Sequence, residues 1–332
     1  MSDGDRNQRV CFFIGTGLPS SSGRVYMVSR QGTILGSVGL EYSPTGMAVQ
    51  NKGDADAGLV VAMPRDHGRV TRIDHTGRVS TILHRDPALP HPMDVGVAAD
   101  SDELFVIDNL SNCLARAKTD GEPAEVVRPR SSEGFRGEPA IDRGASVSVT
   151  QDKQIIFSNE NQSGVYRYSP EGKPGEGSVR MLERSGGVAA DPHSSRWAAA
   201  QPPDAIHVFN GPKQVKRMTL PDGMVHYKNG LMAFTYDDGF LCVACQEPGK
   251  SDEGATLYLC TDVAHGQFER MFRWGPREWQ QRDMANVKAT DRDVNDFAVG
   301  KWMPWPQAIL PGAVLTTPTR KDNAGGPSPR RD

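Results

Sequence analysis

Six times along the chain a short run of alternating apolar residues ends in a glycine turn: GRVYMVSRQG (23–32), GRVTRIDHTG (68–77), NCLARAKTDG (112–121), GVYRYSPEG (164–172), AIHVFNG (205–211) and TLYLCTDVAHG (256–266). Alternation with period two is the pattern of a strand, and a closing Gly marks a tight turn. A further strand follows each glycine, among them TILGSVGL, RVSTILH and KQVKRMTL, and another precedes each copy, among them VCFFIGTG, GLVVAMP and GFLCVACQ. Gly32, Gly77, Gly121, Gly172, Gly211 and Gly266 recur at intervals of roughly 40–55 residues, the length of one four-stranded propeller blade.

Five of the units carry a fourth strand upstream: SPTGMAVQ (43–50), HPMDVGVAAD (91–100), GASVSVTQD (144–152), SGGVAADP (185–192) and KNGLMAFTYDD (228–238). The first unit lacks one, while VNDFAVGKW (294–302) is a first strand with no followers. Pairing the two completes a blade and removes an exposed edge at the seam. The sequence therefore predicts an all-β, six-bladed β-propeller whose ring is closed by the C-terminal strand, 294–299, completing the N-terminal blade. The domain spans 1–312, with blades at 9–40 plus 294–299, 43–84, 91–127, 144–183, 185–220 and 228–272. The remainder, 313–332, has the composition of a disordered tail. A pair of β-sandwich domains, the rival at this length, needs neither a sixfold period nor an isolated last strand.

Net charge is −3, so nothing global points to nucleic acid or to an anionic membrane. Apolar runs such as GLVVAMP (58–64) are far short of a membrane span, and MSDGDRNQRV carries no apolar signal core, so the expected location is cytoplasmic. The cysteines Cys11, Cys113, Cys242, Cys245 and Cys260 are odd in number and scattered, as free thiols in a reducing compartment are. Cys242 and Cys245 lie three apart on a strand, so they point to opposite faces and make no metal pair.

In a propeller the first strand of every blade lines the central channel, and the loops leading into those strands gather on one face. Asp94, Asn229, Asn295 and Asp296 stand at such starts and converge on one channel mouth. Their oxygens suit Ca²⁺; short polar residues there also cap turns and bond backbone. His91 and His226 lie just ahead of first strands and are candidates for a general base. Two long loops belong to the same face. One, 127–143, has four Arg, including Arg143. The other, 273–292, carries Trp274, Trp279 and four more Arg, with a short helix expected after Pro276. Arg beside Trp is the composition of binding surfaces.

The stretch HPMDVGVAADSDELFVIDNLSNCLARAKTDG (91–121) resembles an NHL-type repeat, and YKNGLMAFTYDDGFLCVACQ (227–246) is similar to repeats of the gluconolactonase-like, or senescence-marker-protein-like, propellers. That resemblance covers residues 9–299 as architecture. It implies one divalent cation, of the calcium kind, held by Asn229, Asn295, an early-blade Glu for which Glu41 is nearest, and an Asp such as Asp94 or Asp296. Here the ND pair follows the NG pair by one blade, the reverse of the family's order. Two functions follow. The first is a binding propeller whose Arg- and Trp-rich mouth meets a protein partner or a small acidic ligand. The second is a metal-dependent hydrolase of the lactonase class acting at the mouth.

Overall fold

The computed structural model describes residues 10–17, 22–50, 57–65, 67–98, 101–128, 144–159, 164–182, 185–228, 230–235, 239–250, 254–275, 294–301, 303 and 305. Six antiparallel sheets form six blades arranged in a ring. Blade one holds β1 (Val10–Thr16), β2 (Gly23–Ser29) and β3 (Ile34–Leu40). Blade two holds β4 (Gly46–Gln50), β5 (Gly58–Met63), β6 (Arg69–Asp74) and β7 (Val79–His84). In blade three are β8 (Pro92–Val97), β9 (Glu103–Asp108), β10 (Cys113–Lys118) and β11 (Glu125–Arg128). Blade four has β12 (Gly144–Val149), β13 (Ile155–Asn159), β14 (Gly164–Tyr168) and β15 (Pro174–Met181). Blade five comprises β16 (Val188–Ala190), β17 (Arg196–Gln201), β18 (Ala205–Asn210) and β19 (Lys213–Thr219). In blade six, β20 (Val225–His226) and β21 (Met232–Phe234) share the inner edge of β22 (Leu241–Gln246), followed by β23 (Ala255–Asp262) and β24 (Gln267–Trp274).

The isolated C-terminal strand is β25 (Val294–Lys301). It completes blade one by pairing antiparallel with β1, from Val10 opposite Lys301 to Thr16 opposite Val294, with a bulge between Gly15 and Thr16. The innermost strands then touch in turn, β25 to β4, β8, β12, β16, β21 and back to β25, which closes the ring.

The repeating glycines turn the chain from the third strand to the fourth. All six have positive φ: Gly32 81°, Gly77 85°, Gly121 88°, Gly172 73°, Gly211 54° and Gly266 68°. Some also back onto the outer strand of the preceding blade. A Cβ on Gly172 would lie 2.3 Å from the Val127 carbonyl oxygen, and one on Gly32 2.8 Å from the Phe272 Cβ. Conformation and space both require glycine there.

Each sheet is covered on both faces by its neighbours, so its second strand is largely buried; every residue of GLVVAM in β5 is buried. Between successive blades lies one apolar cluster, as where Phe105 of blade three meets Phe157, Tyr166 and Tyr168 of blade four. Cys242 faces the cluster shared with blade one and Cys245 the cluster shared with blade five, on opposite sides of β22 as strand geometry dictates. All five cysteines are free and fully buried, and burial pushes the Cys260 thiol up to about 11.

Beyond β25, Met303 and Trp305 lie at the end of the ring opposite the mouth. Met303 is 1% exposed and Trp305 5%, and both join the core between blades one and two. The Trp305 ring lies 5.1 Å from Phe13, and its indole N–H donates to the Asp74 carbonyl at 2.9 Å.

Candidate functional site

The inner strands enclose a channel of about 110 Å³, lined mostly by apolar residues and backbone, with Asp94, Ser146, Ser148 and Asp296 as its polar side chains. That is below the several hundred Å³ of an ordinary small-molecule cavity, roughly 300–1,000 Å³. The channel itself is therefore tight for a small-molecule ligand.

Asp94 in β8 reaches across to blade four. Its Oδ2 accepts the Val147 amide at 2.7 Å, while Oδ1 accepts its neighbour Val95 at 2.8 Å. Asp296 in β25 does the same one blade pair earlier, accepting the Met47 amide at 2.6 Å. Both carboxylates press on the start of β4. The Met47 amide belongs to Asp296, and a Cβ on Gly46 would lie 2.3 Å from Asp94 Oδ1. Burial pushes Asp94 up to about 7, against the pull of the Val147 and Val95 amides and the Ser146 hydroxyl. Burial, and then the neighbouring charge of Asp94, hold Asp296 well above the carboxylate range; the Phe297 and Met47 amides and the Lys228 ammonium act in the opposite direction.

The same stitching continues with hydroxyls. Ser146 Oγ accepts the Val188 amide at 3.3 Å and Ser148 Oγ accepts the Ala190 amide at 2.9 Å, tying blade four to blade five. Between blades five and six the backbones approach directly, because a Cβ on Gly187 would stand 2.2 Å from the Gly230 carbonyl oxygen. Polar side chains at strand starts thus bind the next blade's amides.

Asn295 holds the rim between blades six, one and two. Its Nδ2 donates to the Gly17 carbonyl at 2.8 Å and to Ser43 Oγ at 2.7 Å, and its Oδ1 accepts the Lys228 ammonium at 3.2 Å. Lys228 is the mouth residue that sequence reasoning missed; its position directly before the NG pair was the available signal. Glu41 is engaged with Arg69 in an ion pair. His226 is 3% exposed, its Nε2–H donating to the Ala205 carbonyl at 2.9 Å, and burial lowers its pKa so that the ring is neutral. This general-base candidate is thus a buried residue of β20, opposite Cys245 of β22. His91 is half-buried, and its backbone amide donates to Asp108.

Trp274 also departs from expectation. It ends β24 instead of opening a loop, is 2% exposed, and packs 5.2 Å from the Tyr26 ring in the core between blades six and one. The ladder with β23, with two register shifts along it, runs on to pair Ala255 with Trp274, two residues past the end expected for blade six. Arg143, Asn229, Trp279 and the helix expected after Pro276 lie outside the described residues. Among the described residues no group of three His, Cys, Asp or Glu is placed to hold a metal ion, and no helix is long and apolar enough to cross a membrane.

No family model matches the chain, and no curated protein does. Solved structures do. One from a nidogen–laminin complex is similar at 12% identity and a TM-score of 0.56, covering 90% of this chain and 100% of that one. A hydrazine synthase from Kuenenia stuttgartiensis is similar at 13% identity and a TM-score of 0.50, covering 68% and 65%. At such identities the likeness concerns the β-propeller fold alone.

Proposed function

We propose that this chain is a binding propeller without catalysis of its own, whose mouth face receives a protein partner or a small acidic ligand. The observation carrying this reading is the commitment of the mouth carboxylates to backbone amides of neighbouring blades. Each of these bonds occupies a lone pair that a general base or a metal ligand would turn toward substrate or ion. The described mouth groups also fit a divalent cation poorly. Asn295 Oδ1 faces an ammonium in place of a site for a cation, and Glu41 is held by Arg69. The Arg-rich composition of loops 127–143 and 273–292 supports an acidic partner.

The test is elemental analysis of the purified protein, run beside hydrolysis assays on a panel of sugar lactones. Substoichiometric metal and no hydrolysis are expected. One equivalent of calcium or zinc, with hydrolysis lost in Asn229→Ala, would replace this reading with the lactonase-type hydrolase.

A further inference from the structure

Blade five differs from the other blades in charge. None of its strands carries an Asp or Glu, while its outermost strand, β19 (KQVKRMT), carries Lys213, Lys216 and Arg217. Of the other outermost strands, β3 and β7 contain no Lys, Arg, Asp or Glu, and β11, β15 and β24 each include a Glu. β19 is thus an outer edge of the ring that is basic without an acid of its own. Lys213 and Arg217 are exposed, and neither side chain has a hydrogen bond or ion pair among the described residues. Lys216 is half-buried; its ammonium leans toward blade six and donates to the Ala264 carbonyl at 2.7 Å.

The edge is open and held in place. β19 is last in its sheet and pairs with β18 alone, so its outward amides and carbonyls face no further strand. Met218 anchors it, buried in the core between blades five and six. From Lys216 to Thr219 it pairs in register with Val208 back to Ala205. The bulge just before that stretch leaves Val215 without an opposite residue and 51% exposed. A regular length of open edge thus runs beside an exposed valine, with basic side chains on either side of it.

We infer that the outer edge of β19 is a docking strand for an extended segment of a protein partner, rich in Asp and Glu around an apolar residue, which joins blade five as a fifth strand. Backbone hydrogen bonds to an open edge supply affinity, and the side chains along it choose the partner. Lysines keep like-charged edges apart, so a second copy of β19 is repelled, while carboxylates facing Lys213 and Arg217 are attracted. Val215, between them in sequence, offers the apolar contact. The outer edge is separate from the channel mouth, so the inference goes beyond the reading above and stands without it.

The probe is a short peptide of glutamates around a central valine, with two companions: one with lysine for glutamate, one with serine for valine. Each is titrated by fluorescence anisotropy into the full-length protein, into the double variant Lys213→Gln, Arg217→Gln, and into the charge-matched control Arg78→Gln, Lys173→Gln. The control positions lie on blades two and four; all four side chains are exposed, so both variants fold. The glutamate–valine peptide is expected to bind the control as it binds wild type, and the β19 variant about three- to tenfold more weakly, two exposed ion pairs being lost. Hydrogen exchange read by mass spectrometry is expected to show residues 213–219 protected by the peptide. No binding, binding without that protection, equal affinity for either companion peptide, or affinity lowered equally by the control would each overturn the inference. So would single-stranded DNA binding as tightly as the peptide, which would mark a general polyanion surface.

Discussion

Asp296 accepts the backbone amide of Met47 at 2.6 Å although 249 residues separate them. The last strand of the chain thereby grips the inner strand of blade two as well as the ladder of blade one. Ring closure rests on both contacts. Deleting 290–332 removes β25, exposes the β1 edge and leaves Phe13 and Met47 without their neighbours from the last strand. The truncated protein is expected to aggregate or to lose its cooperative melt. Deleting 316–332 alone is expected to leave the melting temperature unchanged. A calorimetric scan of the longer deletion that matched full length would refute closure by β25.

Trp305 is the second element of the seam. Its ring fills the end of the core between blades one and two, and its N–H satisfies the Asp74 carbonyl. Trp305→Ala is expected to cost about 3–5 kcal/mol, the usual range for a large buried aromatic. Trp305→Phe keeps the apolar contact and loses the hydrogen bond, so its cost is about 1 kcal/mol. Urea unfolding measures both; equal costs for the two variants would show that the hydrogen bond, not the packing, holds the latch.

The fold was legible because a propeller repeats itself. The Gly32, Gly77, Gly121 and Gly172 turns announced the period, and the missing strand before Val10 announced where Val294 must go. The site was less legible. Asp94, Asn295 and Asp296 do gather at one mouth, as strand order requires, but sequence cannot say whether a carboxylate faces the channel or the next blade. That depends on the tilt between sheets, which brings the Val147 amide within 2.7 Å of Asp94. Trp274 was misplaced for a related reason. The sequence marks roughly where a strand ends, not whether its last side chain is covered by the next blade.

Gly46 tests how closely the blades are drawn together at the mouth. Its φ is unremarkable, so any penalty comes from space alone. A Cβ would sit 2.3 Å from Asp94 Oδ1 and 2.8 Å from the Met93 carbonyl oxygen. Backbone on one side and an anchored carboxylate on the other have little room to yield. Gly46→Ala is expected to cost about 1–3 kcal/mol, the typical penalty for overpacking. In the background of Asp94→Ala, which removes the obstructing carboxylate, the same substitution should cost less. A double-mutant cycle by urea denaturation reads the difference, and strict additivity would show that the two positions do not press on each other.

Asp94 gives the mouth a pH dependence whose sign is fixed by its environment. Burial raises its folded pKa to about 7, above its ordinary value of 3.8, so the folded protein binds a proton that the unfolded chain has released. That stabilisation is fully present below 3.8 and is lost as pH rises through about 7. The slope for one such group approaches about 1.4 kcal/mol per pH unit inside the window. Asp94→Asn removes it, at a fixed cost, since an amide cannot accept both the Val95 and the Val147 N–H. Asp296 titrates in the same direction, and His226, whose pKa is lowered, in the opposite one. The His226 contribution stays in both proteins and cancels in their difference, whereas the charge of Asp94 that lifts Asp296 disappears with the substitution. Urea melts of wild type and Asp94→Asn from pH 4 to 8 should therefore show wild type losing its advantage steadily as pH rises. A stability difference that stayed constant across the range would mean that Asp94 is ionised in the folded protein throughout, held by the Val147 and Val95 amides strongly enough to outweigh its burial.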